Sequence, residues 1–285
     1  MTTNQTHGHG HAQGHGHGHS HDPFADAALA DLIDLDGDVV SDYLDELTAW
    51  VAGFPTGPVR SIVDLGAGTG TGTFALARRF PDASVLALDA SEAMLGRVRA
   101  KARERGLDGR VRAEPADVDA RWPDAGTPDL LWTASTLHHL ADPERTLRDA
   151  YSAPAPGGIL VAVEMDDQPR FLTDDAGTAL EDRALAAMAD AGWNAHSDYG
   201  PVLTRAGFEV TQRVFTIDVA PPTDDVRRYA HMFLSRLRGA MAERLGPDDV
   251  ALLDRLVADD GPDSVWVRDD LAVQGTRTAW VGRKA

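Results

Sequence analysis

The decapeptide Ser61-Ile62-Val63-Asp64-Leu65-Gly66-Ala67-Gly68-Thr69-Gly70 constrains this chain more than any other stretch. A short apolar run carries an acid near its end, three glycines alternate, and Thr71 to Phe80 follows with helical spacing. Glycine has no Cβ, so the backbone can turn tightly at the end of a strand and lie against a ligand. The helix that starts there leaves its first N–H groups without intrahelical partners. A second apolar run, Val85-Leu86-Ala87-Leu88, ends in Asp89. That acid falls about 20 residues past the turn, where an open parallel sheet presents a carboxylate to a ribose diol.

Strand and helix go on alternating. Strands are expected at Ile62–Leu65, Val85–Leu88, Val111–Ala113, Asp129–Thr133 and, after the Gly157-Gly158 turn, Ile159–Val163. Between them, Ser91 caps a helix with Met94, Leu95, Val98 and Ala102 on its inner face. Asp142 precedes a first-turn proline in a helix over Pro143–Ser152. Short apolar strands joined by helices predict a parallel sheet covered on both faces. Further on, Thr178–Gly192 reads as helix, Phe208–Val219 as a long strand, Asp224–Val257 as helical and Gly275–Gly282 as the last strand. The helical stretch at about 222–260 is expected to cap the substrate side. Ahead of the sheet, Leu29, Leu32, Ile33, Val39, Val40, Tyr43, Leu44, Leu47 and Val51 form an apolar stripe, which Asp36-Gly37-Asp38 is expected to break into two helices.

The 285 residues fit one domain preceded by a tail. Residues 1–22 are rich in His and Gly, carry no apolar periodicity and are expected to be disordered. Residues 23–285 are expected to form a single domain: N-terminal helices over 23–57, a ligand-binding core over 58–165 and a substrate-side half over 166–285. With no cysteine, disulfides, thiolate metal sites and cysteine nucleophiles are excluded. A formal charge of −18 argues against nucleic acid as a partner, because grips on phosphate backbones need a basic footprint. No apolar run approaches the ~20 residues that span a bilayer, so a cytoplasmic protein without membrane contact is expected, as monomer or homodimer.

A dinucleotide-binding turn reads G-x-G-x-x-G and leaves the helix start for a pyrophosphate. Here the third glycine comes one residue early, at Gly70, and Asp64 would oppose a phosphate but suit a cation. The run Asp64 to Gly70 closely resembles motif I of the class I S-adenosylmethionine-dependent methyltransferases. The segment Asp129 to Leu140, ending Leu137-His138-His139-Leu140-Ala141-Asp142-Pro143, is similar to the small-molecule members of the quinone-biosynthesis kind, or type 11 and type 25. The resemblance implies an α/β, Rossmann-like doubly wound sheet of seven strands, mostly parallel with an antiparallel last strand, plus helical cap insertions. It also implies S-adenosylmethionine (SAM) as cofactor, S-adenosylhomocysteine as product, a small-molecule acceptor and no catalytic metal. Carried over residue by residue, Asp64, Gly66, Ala67, Gly68 and Gly70 cradle the methionine end, and Asp89 takes the ribose hydroxyls. Ala90, Ser91 and Met94 flank the adenine, Ala116, Asp117 and Val118 meet its amine, and Thr133, Ala134 and His139 follow the fourth strand.

The implied reaction is direct displacement, in which the protein holds an acceptor lone pair in line with the methyl group. A hydroxyl or acidic-carbon acceptor calls for a base, with His139, His138 and Glu164 in the right region and His139 favoured. A carboxylate needs none, and family members that esterify acids hold them with an arginine; Arg170, Arg205 and Arg236 are available. His196, Tyr199 and Arg236 are the substrate-side candidates. In the tail, His7, His9, His11, His15, His17, His19 and His21 can bind a divalent metal loosely through neutral imidazoles, without a catalytic role. Three alternatives stand beside this reading: a SAM-binding member with non-methylation chemistry, a metal-handling protein built around the tail, and a nicotinamide-dependent oxidoreductase, against which the glycine spacing speaks.

Overall fold

The computed structural model describes residues 23–192 and 198–284. At its centre β1 (Ser61–Leu65) pairs in parallel with β2 (Ser84–Asp89) and with β4 (Leu130–Ala134). Outward, β2 pairs with β3 (Val111–Pro115) and β4 with β5 (Ile159–Met165), again in parallel. The last strand, β8 (Leu271–Lys284), runs antiparallel to β5 and carries β7 (Phe208–Val219) on its other edge. This is the expected Rossmann-like doubly wound sheet. The strand order reverses around β1, so a crevice opens between the ends of β1 and β4.

The sheet has eight strands rather than seven, because the line of β5 is interrupted and resumes as β6 (Arg170–Leu172). Both lie on the same edge of β8: Met165 faces Arg277, then Arg170 faces Gln274 and Leu172 faces Leu271. Pro169, just before β6, has no N–H for a ladder. The displaced amides find another acceptor. From α6 (Asp175–Asp190), Glu181 Oε1 accepts the N–H groups of Phe171 and Leu172 at 2.7 and 3.2 Å.

Period-two alternation divides the strands between two apolar layers. Ile62, Trp132 and Val161 face the larger one, beneath α2 (Ser41–Val51), α3 (Thr71–Arg79) and α8 (Asp224–Met241). Val63, Leu65, Leu131 and Leu160 face the other, under α5 (Pro143–Ser152) and α7 (Gly200–Arg205), a helix not expected from the sequence. Side chains fix the helix starts. Ser91 Oγ accepts Met94 N–H at the head of α4 (Glu92–Glu104), Asp142 accepts Arg145 N–H in α5, and Thr223 accepts Val226 N–H in α8. The helical stretch between β7 and β8 is two helices, α8 and α9 (Pro247–Leu256).

One expected break is misplaced. Helix α1 (Pro23–Val39) runs through Asp36-Gly37-Asp38, and the chain interrupts at Val40 instead. Tertiary contacts override the local helix-breaking tendency. A Cβ on Gly37 would overlap the Thr71 side chain, so glycine there lets α1 lie against the start of α3, while Asp36 is held by Tyr229 and Arg277.

Burial pushes the Glu181 carboxyl up to about 7, although the two β6 amides oppose that shift. A carboxyl raised on folding stabilises the fold most below its unfolded value, and that contribution is lost as pH climbs through about 7. Relative to Glu181→Gln, the wild-type chain should therefore lose up to about 3 kcal/mol between pH ~4.5 and ~7.5 in urea titrations. A pH-independent difference would show that Glu181 does not titrate in this window.

Candidate functional site

The turn after β1, the segment after β4 and the end of β5 meet at the carboxyl side of the sheet. With α1, α6 and α8 above them they border a cavity of about 360 Å³. Its floor begins with Gly66 and Gly68, and these two and Gly70 behind them have φ values of 70, 53 and 93°. These left-handed angles favour glycine, and Gly66 has a second reason: a Cβ there would overlap the Thr136 side chain. At Gly68 nothing stands within 4 Å of that position, so the backbone is open to a ligand. Gly68 N–H donates to Asp89 Oδ2 at 2.8 Å, and Asp89 Oδ1 accepts Ser91 N–H at 2.8 Å. Asp89 thus sits against the turn, half-buried.

Asp64 lines the cavity beside the glycines and is 2% exposed. Its Oδ2 accepts Thr73 Oγ1–H at 2.6 Å. Burial, reinforced by the charge of Asp89, pushes its carboxyl up to about 7. The register places Trp132 next to Asp64, and its buried indole N–H has no hydrogen-bond partner among the described residues. Ser135 follows at φ 50°, a rare angle for a side-chain-bearing residue, and lines the cavity.

Glu164, at the end of β5, organises the segment after β4. Its Oε1 accepts the N–H groups of Thr136 and Leu137 at 3.0 and 2.8 Å, and Oε2 lies 2.6 Å from His138 Nδ1. His138 and His139 both line the cavity, with ring centroids 4.0 Å apart. The imidazole oriented by a carboxylate is His138, whereas His139, favoured from the sequence, is the more exposed of the two.

The far wall holds residues no motif announced. Arg277 Nη2 bonds both carboxylate oxygens of Asp36 at 2.8 Å, and Tyr229 donates its hydroxyl to Asp36 at 2.7 Å. The Arg277 guanidinium lies 5.2 Å from the Tyr43 ring centroid. Gln168, from the β5–β6 interruption, is buried, and its Nε2 has no hydrogen-bond partner among the described residues. Arg236 from α8 completes this wall.

Of the residues singled out by sequence, Asp64, Gly66, Ala67, Gly68, Ala134, His138, His139 and Arg236 line the cavity. Gly70 lies behind, at the head of α3, and Glu164 is buried behind His138. Ala90, Ser91 and Met94 follow Asp89 outside the cavity, with Met94 buried in α4. Ala116 N–H donates to the Asp89 carbonyl at 3.0 Å. Asp117 is exposed, and its Oδ1 accepts the N–H groups of Asp119 and Ala120 to turn the loop. Thr133 and Val118 belong to the opposite face, around a small void with Leu65 and Leu137; alternation along β4 sends Trp132 and Ala134 to the cavity and Thr133 away. Tyr199 is likewise misplaced as a substrate contact. It is 3% exposed and packs edge-on against Trp280 in the second layer. Arg170 pairs with Asp182 and Arg205 with Glu144, and neither borders the cavity. His196 and the tail histidines His7 to His21 lie outside the described residues, among which no group of three or more His, Cys, Asp or Glu could hold a metal ion. Among the same residues no helix is long and apolar enough to cross a membrane.

A doubly wound sheet with an open glycine turn, a buried acid beside it and a second acid at the end of the neighbouring strand defines a Rossmann-like α/β domain whose candidate ligand site lies at the carboxyl ends of its strands. Comparison with known proteins agrees. Residues 62–158 match a family model described as a methyltransferase domain. A trans-aconitate 2-methyltransferase of Methylobacterium radiotolerans is 32% identical over 193 residues, spanning 67% of this chain and 68% of that protein. One from Variovorax paradoxus is 39% identical over 117 residues, 41% of this chain and 42% of its own length. The match thus spans about two-fifths of that relative. Among solved structures, the YcgJ protein of Bacillus subtilis shares the fold at a TM-score of 0.53 and 13% identity, over 86% of this chain and 98% of that one. The chain belongs to the class I S-adenosylmethionine-dependent methyltransferase family.

The glycine geometry separates two substitutions. Gly68→Ala meets open space and should cost about 1–2 kcal/mol from backbone strain alone, whereas Gly66→Ala adds a collision with Thr136. In denaturant titrations Gly66→Ala should therefore be the more destabilising by at least about 1 kcal/mol. Equal losses would mean that Thr136 yields freely.

Proposed function

We propose that this chain transfers a methyl group from SAM to a carboxylate of a small-molecule acid, giving a methyl ester and S-adenosylhomocysteine. One observation carries the reading: the cavity that starts at the glycine turn ends at two arginines, Arg236 and Arg277, with Tyr43 and Gln168 beside them, the Gln168 Nε2 having no hydrogen-bond partner among the described residues. Every one of these groups donates hydrogen bonds, and a carboxylate only accepts. The relatives named as trans-aconitate 2-methyltransferases, enzymes of a carboxylic acid by name, support the same reading.

The residues at the turn fit the cofactor. Asp64 is a buried acid suited to an ammonium, Gly68 leaves its face open, and the Trp132 N–H awaits an acceptor. On the family's pattern Asp89, against the turn, would take the ribose diol, with Ala90, Ser91, Met94 and Asp117 along the adenine side. When bound, SAM supplies a methyl group made electrophilic by its sulfonium. The chain's contribution is positioning, which can lower a barrier by about 7–11 kcal/mol. Arg236 would hold the acid so that a carboxylate oxygen faces the methyl, beside an Arg277 already paired with Asp36; the new C–O bond would form as the S–C bond breaks, with its electron pair left on sulfur. No proton leaves the acceptor. Arg236→Gln should raise the KM for the acid at least tenfold, the loss of a charge-assisted bond of about 1.5–3 kcal/mol, while Arg205→Gln changes nothing. An unchanged KM in Arg236→Gln would exclude it as the carboxylate holder.

A hydroxyl acceptor is the second reading, favoured by the 2.6 Å contact between His138 and Glu164. There His138 would take the proton, and His138→Ala should slow turnover by roughly 10²–10⁴. For a carboxylate, the loss should stay under about tenfold, since no base acts. Single-turnover rates of His138→Ala separate the two.

Asp64 gives a pH signature. With its carboxyl near 7 in the empty site, it must lose a proton before pairing with an ammonium. Affinity for S-adenosylhomocysteine should rise with pH, by up to about tenfold per unit below 7, and then flatten. Asp64→Asn should abolish the slope in calorimetric titrations; a slope that survives would assign the titration elsewhere.

A further inference from the structure

Along β4, alternation turns Trp132 and Ala134 to the cavity and Thr133 to the opposite face. Continued as extended backbone, the chain would send residue 135 the way of Thr133. Instead Ser135 has a φ of 50°, and it follows Ala134 into the cavity lining. Among the described residues no other residue with a side chain has a positive φ. That angle is unfavourable for an L-residue and easy for glycine, so the turn by itself gives no reason for serine. Strain of this kind persists where the surroundings fix it and the side chain is used.

The surroundings do fix it. Ser135 N–H donates to the Val163 carbonyl at 2.8 Å, and Glu164 Oε1 accepts the next two N–H groups. The half-buried Ser135 keeps its hydroxyl without a hydrogen-bond partner among the described residues. Its position is midway along the cavity. The next residue, Thr136, reaches the Gly66 carbonyl at 3.2 Å, and His138 follows on the same segment. A cofactor whose methionine end lies on the glycine turn and an acceptor beyond His138 have to meet between these two points, where the sulfonium carries its charge. An oxygen dipole held there, away from bulk water, favours a cation over a neutral group.

On this basis, and resting on the SAM reading above, we infer that Ser135 is a specificity-determining residue whose hydroxyl oxygen faces the sulfonium and favours the methyl-bearing cofactor over its neutral product. Asp64 recognises the amino-acid end, which cofactor and product share. Ser135 acts on the one group in which they differ.

The test is calorimetric titration of full-length wild type, Ser135→Ala and Ser135→Gly with three ligands. These are SAM, the neutral S-adenosylhomocysteine, and sinefungin, the analogue with C–NH₃⁺ in place of S⁺–CH₃. Ser135→Ala should weaken sinefungin at least about tenfold, through loss of a charge-assisted hydrogen bond, and SAM about threefold, with S-adenosylhomocysteine changed less than about twofold. Ser135→Gly removes the same hydroxyl while easing the turn, so it should repeat these ratios even if Ser135→Ala folds poorly. An equal loss for all three ligands makes Ser135 a support of the turn only, and no loss for any means that its hydroxyl faces elsewhere. Either result overturns the inference and leaves SAM as the cofactor. Failure of the wild type to bind any of the three overturns the cofactor reading and the inference together.

Discussion

The close fit of Thr136 over Gly66 joins the turn after β1 to the segment after β4, and the site is built outward from that contact. No side chain can stand at Gly66, so Thr136 lies directly on the backbone, its hydroxyl 2.9 Å from the Ala134 carbonyl and 3.2 Å from that of Gly66. Glu164 then fixes the next residues by accepting two amides on one oxygen and holding His138 on the other. One buried carboxylate thereby locks the end of β5 to the segment after β4. The floor of the cavity is rigid because three strand ends share these few polar contacts.

Two aspartates at the cavity show how environment assigns chemistry. Asp64 is buried with a single hydroxyl partner, and its raised carboxyl leaves room for a cationic ligand to claim the charge. Asp36 is committed to Arg277 and Tyr229, which makes it a structural clamp and a neutralising partner. The same helix is anchored near the glycine turn: Asp34 pairs with Lys101 at 2.5 Å, and Lys101 donates to the Thr69 carbonyl at 3.0 Å. Helix α1 is therefore tied both to the glycine-turn end and to the Arg277 end of the cavity.

Much of the fold was legible because it follows from neighbours along the chain. Alternating strand and helix, the glycines of the turn, Ser91 and Asp142 as caps and the acid ending β2 all act within a few residues, where periodicity and backbone freedom decide the outcome. Strand periodicity also shows that Thr133 and its neighbours alternate, but not which face carries the cavity. That choice depends on where the helices lie, and it sends Trp132 and Ala134 inward and Thr133 away. The interruption at Pro169 was not read from the sequence, and the pairing of β6 with β8 made Gln168 a wall residue.

Composition and local order thus set the class of fold, the turn and the cofactor end, since each is encoded by short-range pattern. The far wall of the cavity is encoded by convergence. Asp36 and Arg277 stand 241 residues apart and meet because β8 inserts beside β5 while α1 packs on Thr71. His138 is oriented by a carboxylate 26 residues away, and Tyr199 turns to Trp280 because α7 docks on the opposite layer. Such meetings depend on strand order, register and helix placement, which the packing of the whole chain sets and no window of sequence contains.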